Sequence, residues 1–232
     1  MYEGISAALL NGRLRAGTQL RERQLATIFA VTRGRIRKVL HRLGHEGRLD
    51  LVHNRGAFVP QPSLAEAQAI YEARRAVEAG IVAVLAERIT DAQVAELRKH
   101  VTAELRAAKT GRRGESVILS GDFHLLTADL LGNAELAQLV RKLVSRTQLM
   151  VSLYEPRVAW SCGVEEHENI LAALGRRDAT SAMQLMIEHL TRVEGRVTAA
   201  RDESRWLDVE DALGEASARA GRGGRRVRRR RR

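Results

Sequence analysis

From Ser63 to about residue 212 the chain is written in Ala, Leu, Glu and Arg at helical spacing, with no alternating strand pattern and one proline, Pro156. Apolar residues three and four apart mark one face of a helix, so this stretch is confined to an all-helical body. The other two prolines, Pro60 and Pro62, bracket a break just ahead of it, where a fixed φ and a missing N–H stop regular structure. Ser63 with Glu66 three residues on reads as a capping box, which starts a helix immediately after the break. Further breaks fall near Thr90-Asp91, Lys109 to Gly114, Gly132-Asn133, Glu155-Pro156, Ser161 to Gly163 and Gly175 to Asp178, predicting six or seven helices.

Charge divides the chain in the same place. Residues 1–60 carry a net +7, residues 61–216 a net −5, and the last sixteen +9 from nine arginines, giving +11 in all. A basic segment, a mildly acidic body and a basic tail suggest a polyanion-binding end joined to a body with other work. No run approaches the ~20 apolar residues of a membrane helix, and the start shows no signal-peptide pattern. The single Cys162 cannot form an internal disulfide, so a cytoplasmic home without membrane association is expected. The tail is low-complexity and is expected to be disordered.

Within the basic segment, Leu25, Ile28 and Phe29 form one short apolar stripe, and Ile36, Val39, Leu40 and Leu43 a second behind a capping Thr32. Two such helices make a helix-turn-helix. With the apolar residues inward, Arg33, Arg35, Arg37, Lys38, His41 and Arg42 occupy the first turn and outer face. Phosphates attract that charge, and guanine edges accept a bidentate guanidinium. Leu49 to Val52, then His53-Asn54-Arg55-Gly56, then Ala57 to Val59 reads as a hairpin wing with Arg55 at its tip.

The run Leu20-Arg21-Glu22-Arg23-Gln24-Leu25-Ala26, then Val31 to Leu43, then Glu46-Gly47, ending Arg55-Gly56-Ala57-Phe58-Val59, resembles the winged helix of GntR-type bacterial transcription regulators. Gly12-Arg13-Leu14-Arg15-Ala16-Gly17 matches the family's entry turn, with Ala16 where proline is usual. The resemblance implies that Arg23, Thr32, Arg33, Arg35 and Arg37 meet phosphates and bases and that Arg55 and Gly56 lie in the minor groove. Gly34, Arg35 and Lys38 depart from the usual residues, which points to a different sequence preference.

In the helical body, Arg74 falls in the apolar row Ile70, Arg74, Val77, Ile81, and Arg146 in the row Leu139, Leu143, Arg146, Met150. An inward arginine needs an anion. Glu78 is available to Arg74 at i, i+4; no acid stands four residues from Arg146, which leaves a bound carboxylate or a partner helix. His167 and His189 are flanked by apolar residues at helical spacing. His124 shares its face with Ser120, Gly121, Thr127 and Ala128, small residues that leave a cavity. Three inward imidazoles on different helices suit a shared metal ion.

Glu72 to Glu78, Phe123-His124 with Gly132-Asn133, Glu166-His167 with Ile170-Leu171, and His189-Leu190 resemble the FCD effector domain of the FadR-like GntR branch. The resemblance implies a divalent metal, Zn or similar, on His124, His167 and His189, with a small carboxylate effector completing its shell. The family's fourth ligand, an aspartate, falls at Ser120 here; Asp122 lies about 200° round the helix from that place. The expected fold is mainly α: a winged helix-turn-helix over 1–60, a linker over 61–64, an antiparallel helical bundle for effector binding and dimerisation over 65–212, and an arginine-rich tail over 213–232. A homodimeric repressor reading a palindromic double-stranded DNA operator is the expected function. The alternative is a metal-dependent hydrolase or isomerase, with Glu165, Glu166 and Glu168 as base candidates that read more simply as solvent-facing charges.

Overall fold

The apolar stripes of the N-terminal segment turn inward in the structure, a computed structural model that describes residues 1–154, 160–199 and 213. Leu25 of α2 (Glu22–Ile28) and Ile36, Leu40 and Leu43 of α3 (Arg33–His45) are buried, with Ile5 and Leu9 of α1 (Tyr2–Leu10) beside them in the core. Thr32 stands at the N-cap of α3 in extended conformation, but its side chain makes no capping hydrogen bond. The wing is β2 (Asp50–Val52) and β3 (Gly56–Phe58), antiparallel, closed where Arg55 N–H donates to Val52 O at 3.0 Å. Asn54 takes φ 57° and Gly56 φ 92°, the left-handed region that glycine and asparagine tolerate.

A third strand, β1 (Gln19–Leu20), pairs with β3 and gives the order β1-β3-β2. Two residues are too short to show an alternation period, so only the hairpin was readable from the sequence.

The described residues divide into two compact units between Gln61 and Pro62. In the second, Ser63 and Glu66 form the reciprocal capping box: Glu66 N–H donates to Ser63 Oγ at 3.2 Å, and Ser63 N–H to Glu66 Oε2 at 2.7 Å. That box opens α4 (Leu64–Arg88), and a second one, Thr90 with Gln93, opens α5 (Asp91–Lys109). α6 (Arg113–Leu131) ends on left-handed Gly132 at φ 78°, and the Asn133 side chain caps α7 (Ala134–Tyr154). α8 (Trp160–Gly175) and α9 (Ala179–Ala199) follow.

The break expected at Ser161 to Gly163 is absent: these residues form the first turn of α8, where the backbone donors have no intrahelical partner to lose. The Glu155-Pro156 break, the helical stretch to residue 212 and the arginine tail beyond residue 213 lie outside the described residues. α4 lies along α9, α5 packs against α6 and α8, and α7 against α6. Val82, Leu85, Phe123, Val140, Ile170 and Leu190 form the middle of the core.

Candidate functional site

Two sites emerge, one in each unit. In the N-terminal unit, Arg33 and Arg35 are exposed in the first turn of α3, with Lys38, His41 and Arg42 exposed farther along and Arg23 exposed on α2. Thr32 is exposed at the helix start. Arg37 is also exposed, but its guanidinium is forked onto Glu22, Nε to Oε1 at 2.7 Å and Nη2 to Oε2 at 2.9 Å. This pair ties α2 to α3 and holds the Glu22 carboxyl below its usual range. At the wing, the exposed Arg55 guanidinium lies 5.5 Å from the Phe58 ring centroid, and its carbonyl accepts from Gln19 Nε2 at 2.6 Å. Gly56 follows it, exposed. A cationic helix face beside a cationic turn is suited to a polyphosphate duplex.

In the helical unit, α6, α8 and α9 bring His124, His167 and His189 together, each at most 2% exposed. His189 Nε2 stands 3.3 Å from His167 Nε2 and 3.2 Å from His124 Nε2. The opposite ring nitrogen of each meets a different carboxylate. His124 Nδ1 is 2.6 Å from Glu78 Oε2, His167 Nδ1 2.8 Å from Glu104 Oε2, and His189 Nδ1 2.7 Å from Glu166 Oε2. Phe123 stacks on His167 with centroids 4.1 Å apart and planes 20° off parallel.

Arg74, 4% exposed, meets Glu78 at 2.6 Å through Nε and donates through Nη1 to Thr147 Oγ1 at 2.9 Å. Burial alone would raise the Glu78 carboxyl, but the Arg74 guanidinium and His124 outweigh it and hold the group at about 2. Burial likewise opposes ionisation of Glu104, and His167 overcomes it, leaving the carboxyl below its usual range. Burial pushes His124 down to about 4. The same cause, joined by His167 and His124, sets His189 well below the ordinary imidazole value.

These groups fit a cation. An ionised carboxylate only accepts, so in His167 and His189, whose Nδ1 atoms hydrogen-bond to Glu104 and Glu166, Nδ1 carries the proton and a neutral ring presents a lone pair at Nε2; His124 Nδ1 makes a 2.6 Å ion-pair contact with Glu78 and is taken in the same tautomer. Three such lone pairs facing one another with no donor between them repel. Separations of 3.2 and 3.3 Å match the ~3.3 Å edge of a tetrahedron built on metal–nitrogen bonds of roughly 2.0–2.1 Å.

Beside the cluster lies a small pocket that opens to solvent, lined among others by Arg74, Ser120, Gly121, Thr147, His124 and His189. Gln148 closes one wall: it lies over Gly121, where a Cβ would meet its Nε2 at 1.9 Å, and its amide donates to Val117 O and Ile118 O.

The structure brings Arg74 to this cavity and leaves Arg146 out. The buried row of α7 is Val140, Val144 and Thr147, whereas Leu139 is 41% exposed and Arg146 half-buried. The inward face is therefore one residue, about 100°, round from the row that contains Arg146, whose charge acts on Glu66 instead. Ser120 and Asp122 share the continuous α6; Ser120 lines the cavity and Asp122 does not.

Glu166 corrects a second expectation. It is 8% exposed and takes His189, while Glu165 and Glu168 are exposed. Glu104 was missed, and Glu78 and Glu166 were read in other roles, as the ion-pair partner of Arg74 and as a solvent-facing charge; yet Glu104 continues the apolar row Leu97, Val101, and Glu166 begins the row completed by Ile170 and Ala173. An acid in an apolar row needs a buried partner.

Because burial lowers the imidazole of His124 from 6.5 to about 4, the unfolded chain binds the extra proton between those values, and stability falls as pH drops through them. At 1.36 kcal/mol per unit this approaches about 3 kcal/mol. Glu78, ionised down to about 2, adds a loss of the same sign below its unfolded value of 4.5. Thermal unfolding of the metal-free chain is expected to show a midpoint that falls steadily from pH 7 to pH 5; a flat profile there would contradict the neutral buried cluster.

Comparison with known proteins agrees with both halves. The bacterial regulatory proteins, gntR family, match residues 1–59 and the FCD domain matches residues 69–192. The HTH-type transcriptional repressor RspR of Escherichia coli (strain K12) is 24% identical over 201 residues, covering 84% of this chain and 86% of its own. The HTH-type transcriptional regulator LutR of Bacillus subtilis (strain 168) is 27% identical over 208 residues, covering 79% and 93%. A putative GntR transcriptional regulator from Rhodococcus sp. RHA1 shares the fold with a TM-score of 0.74 at 20% identity, covering 86% of this chain and 96% of its own. These relatives are described as transcriptional regulators, which does not favour the hydrolase or isomerase alternative. A cationic winged helix in one unit, a buried histidine cluster in a helical second unit and matches to both family domains place the chain in the GntR family of bacterial transcription regulators, in the group that carries an FCD domain.

Proposed function

We propose that the protein is a homodimeric, ligand-responsive repressor of the FadR-like type, acting in the cytoplasm on a palindromic double-stranded DNA operator. In this reading His124, His167 and His189 hold a divalent metal such as Zn²⁺, and a small organic carboxylate docks in the adjoining cavity. A bound cation would offer the effector's carboxylate an electrophilic position. The observation that carries the proposal is the convergence of three bare imidazole nitrogens beside a small solvent-open cavity.

Arg74 has one guanidinium edge on Glu78 and the other on Thr147 while lining the cavity. It is the guanidinium on the pocket wall, and Ser120 and Thr147 offer hydroxyls beside it. Arg146, half-buried on α7, is not among the residues lining this pocket. On the DNA side, Arg23, Thr32, Arg33 and Arg35 grip phosphates and bases, and Arg55 with Gly56 enters the minor groove. Arg37 positions α3 through Glu22. An effector releases DNA if it binds more tightly to the arrangement of the dimer in which the recognition helices are misplaced.

Native mass spectrometry of the full chain reads subunit count, metal and retained acid together. The expected result is a dimer with one metal per chain. Zn²⁺ at a hundredfold excess over its dissociation constant should stabilise the stripped protein by about 2.7 kcal/mol. A monomer, or a protein whose melting ignores Zn²⁺, Co²⁺ and Ni²⁺ alike, would remove the dimeric or the metal part respectively. Labelled operator titrated with a panel of small carboxylic acids then tests release.

A further inference from the structure

We infer that Glu104, Glu166 and Glu78 are positioning residues that each fix one imidazole with its bare Nε2 toward the common centre, so that the cluster acts as an all-nitrogen tripod. The inference rests on the metal reading above and concerns what this chain's carboxylates do for it.

The pairing is one to one. Glu78 comes from α4, Glu104 from α5 and Glu166 from α8, and each lies within 2.6 to 2.8 Å of the Nδ1 of a different histidine. None lines the cavity, so all three act from behind the rings. Packing alone cannot do this work. Phe123 stacked on His167 holds the ring plane, but a ring flipped by half a turn would stack as well and would carry Nε2 away from the centre. Only the Glu104 carboxylate, which accepts a proton and has none to give, distinguishes the two flips and the two tautomers.

Charge supports the same assignment. With Ser120 on the cavity wall, the three nitrogens are the ligand set and contain no anion; the negative charge that balances a dication sits one bond further out. Such a set suits Zn²⁺, Co²⁺ and Ni²⁺ and disfavours Mg²⁺ and Mn²⁺, which prefer oxygen.

Glu104 is the cleanest probe. Glu78 also holds Arg74, and Glu166 also meets Arg196 at 3.3 Å and Arg192 at 3.6 Å, whereas the hydrogen bond of Glu104 is to His167. The experiment takes the full chain stripped by a chelator and titrates Zn²⁺ against a chromophoric competitor. Glu104→Gln keeps the size but removes the charge and admits the wrong tautomer. It should weaken Zn²⁺ by roughly 10- to 100-fold and change the visible band of the Co²⁺ form, with Glu104→Asp recovering part of the loss.

A wild type that takes up no Zn²⁺ overturns the metal reading and this inference with it. A wild type that binds while Glu104→Gln binds equally overturns the inference alone. Equal lowering of the metal-free and metal-loaded melting points with unchanged affinity does so too, because it marks a purely structural role. Should Glu104→Gln not fold, Glu166→Gln measured in the same way decides between the same outcomes.

Discussion

Arg74→Ala is expected to lower the unfolding free energy by roughly 3–5 kcal/mol, the range for removing one member of a buried ion pair. The guanidinium is 4% exposed and holds Glu78, which is 1% exposed, through two hydrogen bonds. Without it the Glu78 carboxylate faces only His124, a ring whose own burial resists charging. The chain then has to leave a buried anion uncompensated or protonate it, and both cost free energy. Differential scanning calorimetry of the metal-free protein should show the midpoint falling by roughly 10 °C for a unit of this size. Arg74→Met with Glu78→Gln should recover a good part of the loss, because no lone charge remains inside. A single variant that melts within a degree of the wild type would show that the pair does not hold the site.

The second large effect concerns DNA. Arg35→Ala is expected to weaken binding to an operator selected from random duplexes by roughly 1–3 kcal/mol, or about 5- to 150-fold, and to relax the base preference at one position of each half-site. Its side chain is exposed in the first turn of α3 and makes no ion pair among the described residues, so its donors are free to address a base edge. Adding Arg33→Ala should reduce the slope of log affinity against log salt by about 0.9 for each phosphate that is no longer neutralised. Unchanged affinity and slope in the double variant would mean that another face of the unit meets the duplex.

Much of this was legible because buried and exposed positions follow helical periodicity. The stripe Ile36, Leu40, Leu43 fixed which side of α3 faces out, and with it the cationic face. The apolar flanks of His167 and His189, and the small neighbours of His124, pointed all three rings inward, and the structure assembles them. Periodicity failed where it had least to work with. On α7 an apolar row containing Leu139 competed with the true one through Val140 and Val144; a long amphipathic helix with apolar residues on two sides admits both phases. The two-residue β1 had no period to read. The pairing of carboxylates with the histidines, and Glu104 altogether, was passed over for another reason: glutamate is so commonly solvated that its place in an apolar row was not weighed against the imidazoles it serves. A buried histidine on one helix should prompt a search for an equally misplaced acid on its neighbours.

α4 runs unbroken from its capped start at Ser63 to Arg88, and it carries Arg74 about 16 Å and Glu78 about 22 Å from that start at 1.5 Å per residue. If an anionic effector enters beside Arg74 as proposed, a helix of this kind acts as a stiff rod, and a small tilt imposed there is carried along it to Ser63. Transmission then needs no melting and no relay of side chains, only a rod whose far end is seated differently when its middle is pushed.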